Sequence, residues 1–153
     1  MPETVTVSNS SPLIVFSRID QLELIHRICN RIIIPPAVRE EVFGSKPTPP
    51  WIMVQSVLER NPRLTGIRLG SGETEAIELS IQVNASRVLL DDLAARKIAR
   101  SLGIKIIGSV GLILLTKQNG LISEVRPLLK AMIEADFRVS ERLLSSILKE
   151  AGE

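Results

Sequence analysis

Short runs of β-branched and aliphatic residues recur along this chain, each followed by a longer amphipathic stretch, and that alternation restricts the fold more than any other property. "TVTV" (4–7), "RIIIPP" (31–36), "WIMVQSV" (51–57), "SRVLLDD" (86–92) and "IKIIG" (104–108) read as strands. Strands apolar on both faces and separated by helical segments belong to a parallel sheet covered by helices on both sides. The chain has 153 residues, enough for one continuous core. The expectation is one α/β domain over residues 1–153, with a central, mostly parallel, roughly five-stranded sheet and a helical pair at 121–151 closing the chain.

Local punctuation agrees with this division. Ser11 reads as an N-cap and Pro12 as the first helical residue, where its missing N–H costs nothing. Pro35 and Pro36 stop the second strand, and the prolines of "GSKPTPP" keep that loop irregular. "GSGETEAIELSIQVNA" starts a helix at Ser71 or Gly72, with Glu73 and Glu75 in its dipole-favoured first turn. Gly103 fits the left-handed position that ends the helix "LAARKIARSLG".

Several functions are excluded. No apolar run approaches the roughly 18 residues of a membrane span, and "MPETVTVSNSS" lacks a basic start followed by an apolar stretch, so no secretion signal and a cytoplasmic location are expected. Cys29 is the one cysteine, which rules out an internal disulfide and a thiolate metal cluster, and it reads as a small buried hydrophobe. His26 is the one histidine and reads as a helix-surface residue without the second imidazole that a zinc site needs. "GSGETE" has Glu75 where a dinucleotide fingerprint has its third glycine, and neither a phosphate loop nor a G-x-S-x-G elbow is present. A phospho-receiver domain would place its acidic pair after the first strand, whereas "DD" follows the fourth.

The net charge of +2 does not by itself select a nucleic acid. Its distribution is uneven, with Arg60, Arg63 and Arg68 in one loop and Arg96, Lys97 and Arg100 in one helix. These residues form either a solvated face or a patch that contacts phosphates. With no tyrosine and only Trp51, Phe16, Phe43 and Phe137 as aromatics, a base-stacking platform is not expected.

In open parallel sheets the functional crevice lies beyond the carboxyl ends of the strands. There the first strand ends on "SNSS" and the fourth on "DD", so Asn9, Asp91 and Asp92 converge if those strands are neighbours, and Glu41 joins them from the helix after the second strand. Carboxylates about 4 Å apart repel by about 4 kcal/mol per pair at an effective dielectric near 20, so such a cluster calls for a cation. Oxygen ligands without histidine or thiol favour Mg²⁺ or Mn²⁺ over zinc. Taken singly, each acid also fits a helix cap or a solvated surface.

The segments "VSNSSPL", "IPPAVREEV", "GSGETEAIEL" and "LLDDLAARKIARSLGI", in that order, resemble the PIN-domain family and its prokaryotic VapC-like toxin branch. The resemblance covers residues 5 to about 135. It implies a three-layer α/β/α fold, Mg²⁺-dependent ribonuclease activity, and in many bacterial and archaeal members the role of toxin in a type II toxin–antitoxin pair. Carried over by position, the family's first acid falls on Asn9, a departure that removes one negative charge, and its assisting serine falls on Ser11. The second acid falls on Glu41, with Glu40 the alternative, and the third on Glu75, with Glu73 the less favoured choice. The fourth falls on Asp92 or Asp91, and Glu78 is placed on the solvent side. A metal-dependent endoribonuclease with an RNA substrate, a small antitoxin partner and a homodimeric state is the first expectation. A PIN-scaffold binding protein without catalysis and a small-molecule phosphatase are the alternatives.

Overall fold

The computed structural model describes residues 4–153. Five strands, β1 (Thr6–Ser8), β2 (Ile32–Ile34), β3 (Ile52–Val54), β4 (Arg87–Leu89) and β5 (Ile106–Ile107), form one sheet in the order β3-β2-β1-β4-β5. Every neighbouring pair is parallel. The α-helices among the described residues are α1 (Ser10–Arg18), α2 (Leu22–Cys29), α3 (Pro36–Phe43), α4 (Ser71–Gln82), α5 (Leu93–Ser101), α6 (Ser109–Gln118), α7 (Arg126–Glu134) and α8 (Glu141–Glu150). This is the expected three-layer α/β/α arrangement. None of the described helices is long and apolar enough to cross a membrane.

Strand side chains alternate between the two layers. Ile32, Ile34 and Leu89 join Leu13 and Phe16 of α1, Ile25 of α2, and Leu112 and Ile113 of α6 in one core. Val7, Val88 and Leu90 join Ile77 and Leu79 of α4 and Ala95 and Ala99 of α5 in the other. Each large aliphatic side chain buried this fully contributes about 1.5–3 kcal/mol relative to exposure. The closing helical pair belongs to the first core through Leu129, Met132 and Ile147.

Three local expectations are corrected. The first helix begins at Ser10, so Asn9 rather than Ser11 is the residue before it, and Pro12 sits third. Glu78, placed on the solvent side in carrying the resemblance over, is 3% exposed and accepts hydrogen bonds from Asn61 N (2.7 Å) and Arg60 Nη1 (3.4 Å). The irregular segment between β3 and α4 folds back over that face of α4, and Gln82 fixes it further by accepting from Leu58 N at 2.8 Å. His26 is half-buried, not simply on the surface, because its ring stacks on Trp51 with centroids 4.9 Å apart. Cys29 is buried as expected, and burial pushes its thiol above the usual range against the opposing effect of Arg87.

The start of α7 has no side-chain cap of its own. Glu153 supplies one from beyond α8: its carboxylate accepts from Val125 N (2.8 Å), Arg126 N (3.2 Å) and Lys117 Nζ (2.9 Å). The Val125 amide, ahead of the Lys117 ammonium and the Arg126 amide, holds the carboxyl below its ordinary value of 4.5. A depressed folded-state pKa stabilises the fold above the unfolded value, and that contribution disappears as pH falls through the lower folded value. Glu153→Gln is therefore expected to lower the melting temperature at pH 7, and the difference from wild type to shrink as pH drops below 4.5, measured by thermal melts across an acid series.

Candidate active site

The sheet is wound outward in opposite senses from β1 and β4, and at the carboxyl ends of strands at such a switch point ligand crevices form. Their pairing, Thr6 with Arg87, Val7 with Val88 and Ser8 with Leu89, continues one step further through Asn9 N donating to Leu89 O at 3.0 Å. Alternation then sends Asn9 and Asp91 to different layers. Asn9 faces α4, where its Oδ1 lies 3.3 Å from the place a Cβ on Gly72 would occupy, and Glu41 Oε2 lies 3.6 Å from that same place. A Cβ there would press on the Asn9 oxygen and stand in ordinary contact with that of Glu41.

Asparagine is a favoured residue before a helix because its side chain usually accepts from the first-turn amides. Here it makes no such bond, and Oδ1 is buried without any hydrogen-bond partner. A buried carbonyl left unpaired costs about 1–3 kcal/mol. Glu41, by contrast, is oriented by Ser10 Oγ, which donates to its Oε2 at 2.7 Å.

Asp91 faces the N-termini of α1 and α6. It accepts from Ser11 Oγ (2.9 Å), Ser109 N (2.7 Å) and Ser109 Oγ (2.6 Å), which fixes both carboxylate oxygens. Asp92 lines the same cavity, but it serves as the N-cap of α5, accepting from Ala95 N at 2.9 Å. Two adjoining cavities, of about 350 and 810 Å³, share Asn9, Ser11, Glu73 and Phe137 as lining. Glu41 opens onto the smaller and Asp91 onto the larger.

The crevice thus gathers Asn9, Ser11, Glu41, Glu73, Asp91 and, engaged as a helix cap, Asp92. It does not gather Glu75, which lines neither cavity and instead lies 3.4 Å from Ala37 N in the first turn of α3. Glu73 takes the place in the crevice for which Glu75 was favoured, because the first turn of α4 directs residues two apart to different sides. Glu40 is exposed and lies 3.9 Å from Arg39 Nη1. Among the basic residues expected at the site, Arg60 is engaged with Glu78 away from the crevice, Arg63, Arg68, Lys97 and Arg100 are exposed, and Arg96 lines the larger cavity, as does Arg138, while Arg18 lines the smaller.

Sequence reasoning missed Ser10 and Ser109, which orient Glu41 and Asp91, and Gly72, whose missing side chain lets Asn9 and Glu41 approach. Ser109 had a legible signal, since it follows the fifth strand at the same carboxyl edge. Among the described residues no three His, Cys, Asp or Glu side chains form a metal cluster on their own. The donors are amide, carboxylate and hydroxyl oxygens, a set whose chemistry suits a hard cation such as Mg²⁺ or Mn²⁺. The unpartnered Asn9 Oδ1 is the acceptor left free for one.

A family model described as PIN domain matches residues 5–153. The chain belongs to the PIN-domain family. Among solved structures, a PilT N-terminus domain protein from the hyperthermophilic archaeon Sulfolobus solfataricus P2 shares its fold, with a TM-score of 0.50 and 18% identity over 71% of this chain and 90% of that one. No curated protein matches. PIN domains are generally nucleases and typically use divalent metal ions, so membership supports a nuclease-type function. As a PIN domain, the chain should tolerate loss of the Asp92 carboxylate better than that of Asp91. Asp92→Ala is expected to cost about 1 kcal/mol in chemical denaturation, the loss of a helix cap.

Proposed function

We propose that this PIN domain is a metal-dependent endoribonuclease of the VapC-like branch, the toxin of a type II toxin–antitoxin pair, hydrolysing RNA phosphodiester bonds. The observation that carries the reading is Asn9 Oδ1, a buried oxygen with no partner, in a crevice that also holds Glu41, Glu73 and Asp91. Those four side chains are the ones that would hold Mg²⁺ or Mn²⁺. A divalent cation so held supplies positive charge to a phosphodiester and lowers the pKa of a bound water.

The chain's own contribution is positioning. Ser11 and Ser109 hold Asp91, and Ser10 holds Glu41, so that neither carboxylate has to reorganise when an anionic substrate arrives. Asp92 and Glu75 support the helix starts around the crevice. Exposed Arg63, Arg68, Lys97 and Arg100 offer sequence-independent contacts to the RNA backbone. The reading extends to a cytoplasmic protein that forms homodimers and is blocked at the acidic crevice by a small antitoxin.

One observation favours a second reading, a PIN scaffold that binds RNA or a partner without cutting. Asn9 carries no charge, and the acids divide between two cavities rather than converging as a trio. Incubation of structured RNAs with the purified protein in Mg²⁺, Mn²⁺ or EDTA separates the two. Cleavage with either metal and none in EDTA is expected, and Asp91→Asn should lower the rate at least about 100-fold. No cleavage by wild type, with activity appearing in Asn9→Asp, would establish the binding reading instead.

A further inference from the structure

Arg96 differs from every other basic residue near the crevice. Arg18 and Arg138, which also line the cavities, are exposed, as are its neighbours Lys97 and Arg100, whereas Arg96 is half-buried and its Nε is buried with no hydrogen-bond partner. Its Nη1 lies 3.0 Å from the place a Cβ on Gly108 would occupy, and Asp91 Oδ1 lies 3.2 Å from that same place. Guanidinium and carboxylate therefore flank the same space over the bare backbone of Gly108. They are not an ion pair: the pairs within 4.0 Å among the described residues join Arg39 with Glu40, Arg60 with Glu78 and Lys117 with Glu153. Asp91 is already engaged by Ser11 and Ser109.

A guanidinium stays charged at any physiological pH, and a buried N–H without an acceptor is unfavourable until an acceptor arrives. The larger cavity can admit one, since Arg96 lines it together with Asp91 and Glu73, and Leu93, Ile107 and Val110 make part of its wall apolar. An acidic crevice alone would repel a phosphodiester, and a fixed positive charge on its wall offsets that repulsion. The planar fork of arginine matches two oxygens of a phosphate.

We infer that Arg96 binds the non-bridging oxygens of an RNA phosphate in the cavity beside Asp91, and that Gly108 is small to let it reach there. The inference rests on RNA being the substrate, as proposed above, but its test does not require cleavage. Binding of a fluorescent single-stranded RNA is measured by anisotropy in EDTA, across a salt series, for wild type, Arg96→Gln, Arg96→Lys, Gly108→Ala and the control Arg31→Gln, a residue exposed just before β2. Thermal melts confirm that each variant folds.

Arg96→Gln is expected to weaken binding about tenfold and to reduce the slope of log affinity against log salt by about 0.7, the value for one lost contact on a single strand. Arg96→Lys should restore the slope and only part of the affinity, since the ammonium keeps the charge and lacks the fork. Gly108→Ala should weaken binding with no change in charge, and with Arg96→Lys it carries the test if Arg96→Gln does not fold. Arg31→Gln should leave both quantities unchanged.

Wild-type affinity and slope in Arg96→Gln would overturn the inference and leave an acidic protein segment as the anion for this cavity. Equal losses in Arg96→Gln and Arg31→Gln would overturn it as well, since the effect would then be one of net charge. So would a slope in Arg96→Lys no different from that of Arg96→Gln. Should wild type cut no RNA while Arg96→Gln loses affinity and slope as stated, the nuclease reading fails and the phosphate contact stands.

Discussion

The pairing of β1 with β4 is the constraint on which the site depends. These strands are separated by about half of the chain, and parallel strands have no hairpin to set their register. The register is set by burial instead. Val7 opposite Val88 and Ser8 opposite Leu89 leave Val7 and Val88 in one core and Leu89 in the other. A slip of one residue would send each set to the wrong layer. It would also move Asn9 away from Gly72 and Asp91 away from Ser109, so hydrophobic sorting of a few aliphatic residues holds the polar residues beyond them in place.

Much of the acidic chemistry at this edge is committed to helix starts. Unpaired first-turn amides carry partial positive charge, and carboxylates near them are stabilised without any metal. Asp92 answers the amide of Ala95, Asp91 that of Ser109, and Glu75 lies near that of Ala37. The same logic operates far from the crevice, where Glu153 caps α7. What separates Asn9, Glu41 and Glu73 from this group is that none of them is held by a helix-start amide, and all three line the smaller cavity.

The sheet was legible because its strands announce themselves twice, by β-branched composition and by the prolines, glycines and serines that end them. The adjacency of the first and fourth strands followed from the common orders of wound sheets, and with it the meeting of Asn9 with "DD". Choices between adjacent or nearby acids were not legible. Nothing in "DD" says which aspartate turns toward Ser11 and which caps the next helix, and nothing in "GETE" says which glutamate faces the crevice. Those outcomes depend on where each helix begins, and boundaries uncertain by a residue or two rotate side chains by about a quarter of a turn or more. Glu78 was misplaced for another reason: the segment from 55 to 61 that covers it has no periodicity, so its path over α4 left no trace in the pattern.

The amide at position 9 changes the electrostatics of the crevice with or without a cation. A carboxylate in its place would sit buried beside Glu41, and two such charges about 4 Å apart cost about 4 kcal/mol at an effective dielectric near 20. Asparagine removes that repulsion and leaves one unpaired dipole, a cost of about 1–3 kcal/mol. The two costs are comparable, with the neutral side chain the milder, so a crevice without a cation is better tolerated with Asn9 than with an aspartate. The same substitution withdraws one charge from the attraction that would draw a cation in. On the proposed reading, more of the hold on the metal then falls to Glu41, Glu73 and Asp91, and the serines that fix two of those carboxylates matter correspondingly more. Preorganisation by Ser10, Ser11 and Ser109 is how a site with less charge can still present its oxygens without first rearranging them.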